Sequence, residues 1–153
     1  MLLTPLENKN DEYRNVNFHI RDILREDLLP GDRAKLFIDG SCMAPVVQNR
    51  DQVTIEVKNR FYPGDIVAFY CPYNKKNFVH RLLGTINTNG GRKCLTMADN
   101  GVIPDVLVDI DDLIGKVISV SGRSAEISGF VRVKSGLRYL YWCGKLWFRK
   151  FSD

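Results

Sequence analysis

The sequence has few residues able to hold a metal or run histidine chemistry. It has four cysteines and two histidines in 153 residues. Cys42, Cys71, Cys94 and Cys143 are separated by 29, 23 and 49 positions, with no CxxC and no Cys/His cluster. That spacing disfavours a structural zinc site, and no metal is expected. A chain of this length builds a core without a disulfide framework, and nothing in it signals a nucleotide or other cofactor. Histidine-based chemistry must use His19 or His80. Long apolar runs are missing too. No window approaches the roughly 18 residues of a membrane span, and the start, Met1–Glu7, has no apolar stretch long enough for a signal peptide. The expectation is a cytoplasmic protein, with peripheral contact at a membrane left open. Net charge is small, +4, too little for a dedicated nucleic-acid binder. It is also uneven: residues 1–129 carry 16 basic and 17 acidic side chains, residues 130–153 carry 6 and 1.

Apolar residues at 44% and charged residues at 26% describe one globular domain. Residues 1–31 read as an N-terminal helical segment. Within it Val16, Ile20, Ile23, Leu24 and Leu28 recur at helical spacing until Pro30-Gly31 stops them. The periodicity then shortens. Apolar or alternating runs at 34–38, 53–57, 66–70, 78–86, 93–98, 114–120 and 130–134 predict strands, punctuated by Pro63-Gly64-Asp65, Asn89-Gly90-Gly91 and Ser121-Gly122. The fold class expected is mainly β, a coiled antiparallel sheet or pseudo-barrel over residues 34–134. Residues 137–151 predict an amphipathic helix holding six of the sixteen aromatics. Leu137, Leu140, Tyr141, Trp147, Phe148 and Phe151 share one face, with Arg138, Lys145 and Arg149 largely on another. Such a helix docks on the β domain or a protein partner, or lies in a membrane interface.

One segment points to chemistry. In Asp39-Gly40-Ser41-Cys42-Met43-Ala44-Pro45, Gly40 and Pro45 bracket a turn that can expose a nucleophile and free a backbone N–H for an oxyanion. Here the sequence resembles the signal peptidase and LexA-like peptidase superfamily, whose pattern is Ser-Met-x-Pro. Cys42 stands where that family has serine. The resemblance continues in order. Asp51-Gln52-Val53 is similar to Gly-Asp-x-Val, with Arg50 for the glycine. Pro63-Gly64-Asp65-Ile66-Val67 matches Pro-Gly-Asp-Ile-Val. Val79-His80-Arg81 resembles the Val-His-Arg of the archaeal and endoplasmic-reticulum branch. Ala98-Asp99-Asn100 resembles Gly-Asp-Asn, Asp105 fits the second family aspartate, and Gly115-Lys116-Val117 closes the series. These blocks span about residues 34–120.

The resemblance implies a peptidase. Cys42 would attack the peptide carbonyl, and His80 would take its proton and pass it to the leaving amine. Asp105 would orient the imidazole, with Asp99 the competing candidate. Oxyanion and substrate contacts would fall to the backbone N–H of Cys42, the Ser41 hydroxyl, Gly40 and Met43. The implied substrate is an extended peptide segment with small residues before the scissile bond, such as a dedicated leader. Two other classes stay open: a non-catalytic peptide-binding module of the same fold, and a LexA-like self-cleaving regulator. No nucleic-acid partner is expected. Away from the motif, His19, Cys71, Cys94 and Cys143 read as structural, Asp51 and Asp65 as turn residues, and Asp111-Asp112 as a solvated loop.

Overall fold

The computed structural model describes residues 29–71, 73 and 76–149, with backbone only over 146–149. The helix predicted before Pro30 lies outside them. Eight strands follow: β1 (Arg33–Phe37), β2 (Gln52–Glu56), β3 (Ile66–Cys71), β4 (Lys76–Thr88), β5 (Gly91–Met97), β6 (Val108–Asp109), β7 (Leu113–Val120) and β8 (Arg123–Ser124). They pair antiparallel in the order β1-β2-β7-β3-β4-β5-β6, and β8 adds to β7. The sheet curls into a half-barrel. Register shifts at Thr54/Ile55, Ala68/Phe69 and Leu82/Gly84 mark where it bends, because an extra residue in one strand increases the local twist.

Every residue of Ile66–Cys71 is buried, which explains its unbroken apolar run. Ile66 and Ala68 join a core cluster with Met43, Val53 and Val117. Val67 and Phe69 enter a second cluster with Leu82 and Cys94. The strand thus separates two cores by simple alternation. Asp112 is buried at the end of a 3-10 turn (Ile110–Asp112), so of the acidic pair only Asp111 is exposed as its composition predicts.

The last element corrects the sequence reading twice. Phe130–Lys134 is not a strand. It opens α1 (Gly129–Arg149), with Ser128 at the cap accepting from the N–H of Arg132 through its carbonyl, 3.2 Å, and from Val131 through Oγ, 3.4 Å. Five residues of apolar alternation fit either period, and only the longer run decides. The face that docks is also not the most apolar one. The Tyr139 ring lies on Gly84, where an added Cβ would sit 2.5 Å from Cδ2, and its hydroxyl donates to Thr85 O at 2.6 Å. Trp142 joins Leu83, Leu95 and Met97, and Ser135 is buried. Arg132 donates to Pro63 O at 3.1 Å and lies 3.3 Å from Asp65. Gly64 is needed there twice: its φ is +93°, and a Cβ would meet the Arg132 backbone at 3.2 Å.

Candidate active site

Cys42 sits on the loop between β1 and β2. The loop is closed at its neck by Ile38 N donating to Asp51 O (2.9 Å) and Arg50 N donating to Ile38 O (2.8 Å). Met43 and Val47 anchor it from below, buried in the core, and Val47 N donates to Met43 O at 3.0 Å. Gly40 takes φ +114° and donates to Asn49 Oδ1 at 3.0 Å. The Asp51 carboxylate accepts from Gln48 N (2.8 Å) and Ser121 Oγ (2.7 Å), which lowers its pKa and makes it a turn organiser.

Arg50 adopts φ 69°, the left-handed region in which glycine is at ease. Arg50 thus stands, where the resembled motif has glycine, in a conformation that suits glycine. A side chain there costs about 1–2 kcal/mol, partly offset because glycine loses more chain entropy on folding. Arg50→Gly should stabilise the fold by about 0.5–1 kcal/mol in urea titration.

The Cys42 thiol is half-buried. Burial pushes its pKa above the ordinary thiol value, and the charges of Asp105 and Asp99 add to the rise; the backbone N–H groups of Cys42 and Met43 oppose it. A turn that offers two such donors can hold an oxyanion. Because the net shift is upward, little thiolate exists at neutral pH. Iodoacetamide should label Cys42 more slowly than a free peptide thiol at pH 7, with the rate climbing through alkaline pH, as peptide mass spectrometry can read.

His80 stands in β4, buried, with its ring 5.9 Å from that of Phe69 and 5.6 Å from that of Phe78. Its Nδ1 lies 2.7 Å from Asp105 Oδ2. A carboxylate can only accept, so Nδ1 carries the proton and Nε2 keeps the lone pair of a base. Asp105 is itself clamped by Thr96, whose Oγ1 donates to Oδ2 (2.7 Å) and whose carbonyl accepts from Asp105 N (2.8 Å).

The structure separates the two candidate aspartates. Asp99 does not reach His80. It takes Arg81 in a two-pronged pair, Nε to Oδ1 at 2.6 Å and Nη2 to Oδ2 at 2.5 Å, while Arg81 Nη1 donates to Gly64 O at 2.8 Å. Neighbours in a strand face opposite ways, so His80 and Arg81 carry different aspartates to different sides of β4. Next to Asp99, Asn100 stitches its loop to the nucleophile loop, Nδ2 to Ser41 O at 2.9 Å and N to Cys42 O at 3.2 Å.

Other expected contacts change as well. The Met43 side chain, 1% exposed, cannot touch a substrate, and only its N–H faces the site. The Gly40 N–H is engaged by Asn49, while Ser41 is exposed beside Cys42. No hydrogen bond joins the thiol to the imidazole. Cys42 packs with Val79 against one core cluster, and His80, next in the strand, turns to Phe69 and Phe78. Thr96 was not legible as a site residue, since a threonine in a strand reads as an ordinary β-former. All four cysteines are free, and among the described residues no group of three His, Cys, Asp or Glu side chains is placed to hold a metal ion.

No protein-family model matches the chain, and neither does any curated protein. The functional reading rests on the motifs and on this geometry.

Proposed function

We propose that the chain is a peptidase of the signal-peptidase-like kind, acting on an extended peptide segment through Cys42, His80 and Asp105. The observation that carries this reading is the His80–Asp105 pair at 2.7 Å, whose carboxylate is near enough to the half-buried Cys42 thiol to help raise its pKa. The raised thiol pKa favours a neutral nucleophile over a preformed thiolate. His80 Nε2 removes the Sγ proton as sulfur attacks the carbonyl carbon, and the N–H groups of Cys42 and Met43 receive the oxyanion. The imidazolium, steadied by Asp105, protonates the departing amine, leaving a thioester. Water, deprotonated by the same imidazole, then hydrolyses it. The first transfer requires the thiol and ring to close on substrate binding, as catalytic hydrogen bonds often do.

β1 ends one side of the sheet order and leads toward Cys42, and Phe37 at its end is 72% exposed. Among the described residues no strand pairs with the outer edge of β1, and a strand-like substrate can pair there. The same reading places the protein in the cytoplasm, with a leader-type peptide as substrate. The test is cleavage of small peptides encoded near the gene. Cys42→Ser should cleave at least as well as the natural chain, because a neutral hydroxyl follows the same route, and Cys42→Ala should not cleave. If Cys42→Ser cleaves nothing and His80→Ala changes nothing, the peptidase reading fails.

The missing thiol–imidazole hydrogen bond favours a second reading, a peptide-binding module of this fold without turnover. It predicts that the same peptides bind the natural chain and are recovered intact. Self-cleavage, the LexA-like alternative, would appear as a falling intact mass on incubation.

A further inference from the structure

α1 docks on the sheet through Arg132, Ser135, Tyr139 and Trp142, and this leaves its most apolar side facing out. Phe130, Val133, Leu137, Leu140 and Tyr141 are 77%, 62%, 63%, 66% and 58% exposed. Their spacing of three, four, three and one keeps them in one stripe, about 17 Å long at 1.5 Å per residue. A stripe of this size on a rigidly held helix marks a contact surface rather than scattered exposure.

Charge says what covers it. Residues 127–152 hold six lysines and arginines and no aspartate or glutamate. Lys134, Arg138 and Lys145 fall, at intervals of four and seven, along one border of the stripe. Lys145 Nζ lies 5.4 Å from the Tyr141 ring centre and 5.0 Å from that of Trp142. Aliphatic stems of this kind lie along apolar surface while their charges reach polar headgroups. A second copy of the helix would bring cations against cations, with no acidic border to pair them. No helix among the described residues is long and apolar enough to cross a membrane. We propose that α1 rests flat on an anionic lipid surface through this stripe, its cations at the headgroups.

The inference does not depend on the peptidase reading. Its test is co-sedimentation of the full chain with phosphatidylcholine vesicles, with and without phosphatidylglycerol. Binding at least tenfold tighter to the anionic vesicles is expected. Leu137→Ser with Leu140→Ser should weaken it at least tenfold. Both side chains are exposed, so circular dichroism and melting should not change. Lys134→Gln and Lys145→Gln should each cost about fivefold, in line with the usual contribution of one cation at such a surface. Equal binding to neutral vesicles would overturn the proposal. So would no vesicle binding, unaltered binding by the double serine variant, or a solution dimer that this variant dissolves. Capture of an acidic protein through the stripe by a chain that ignores vesicles would likewise replace lipid with a protein partner.

Discussion

If the chain is the peptidase proposed above, Asp105→Asn will slow peptide cleavage by about 10⁴-fold while the protein stays folded, the size of loss seen when a base loses its orienting carboxylate in a serine-type triad. The cause is the tautomer. Asp105 only accepts, so it holds the His80 proton on Nδ1, 2.7 Å away, and leaves Nε2 basic. An asparagine amide can donate instead, which favours the Nε2–H form and removes the base. The amide nitrogen in the place of Oδ2 can also donate to the Thr96 hydroxyl, which turns to accept, so the loop keeps its anchor. The measurement is kcat/KM on a cleaved peptide, with a melting curve beside it. A loss below tenfold with unchanged melting would remove Asp105 from the mechanism.

Asp99→Ala will do the opposite kind of damage. Arg81 and Asp99 side chains are 9% and 15% exposed, and the alanine variant strands a buried guanidinium with only Gly64 O for a partner. Removing one member of a buried ion pair costs about 3–5 kcal/mol. For a chain of this length that is a fall of about 10 °C in Tm. The double variant Arg81→Leu with Asp99→Leu should recover much of the loss, because a hydrophobic pair of similar volume leaves no unpaired charge. Calorimetry of the two single variants and the double decides it. If Asp99→Ala melts with the natural chain, the pair is not structural, and the separation of the two aspartates is lost with it.

These two aspartates show what could be read in advance. The strand content was legible, because alternation and turn residues are local signals, and the motif resemblance brought Cys42, His80 and the two aspartates forward as candidates. The choice between Asp99 and Asp105 was not legible. Both sit in a turn-rich stretch, and only the pairing of β4 with β5 decides which reaches His80 and which reaches Arg81. Phe130–Lys134 misled for the same reason in reverse, its alternation being too short to exclude a helix. The outward stripe of α1 was visible as a pattern, but not its direction. That depended on Gly84, which admits the Tyr139 ring, and on Asp65, which draws in Arg132. The buried Asp65 carboxylate serves three masters, with Lys116 at 3.0 Å, Arg132 at 3.3 Å and the Tyr62 N–H at 2.9 Å.

The Thr96 clamp has a consequence for how such a site can change over generations. Asp105 is gripped at both its backbone and its carboxylate by one strand residue. Its loop neighbours Val102, Ile103 and Val106 are 84%, 68% and 59% exposed and carry no share of that grip. Substitution at those three positions can therefore change the surface of the loop while the imidazole stays aligned. Anchor and surface are held by different residues, so the loop can vary in sequence without first surrendering the orientation of His80.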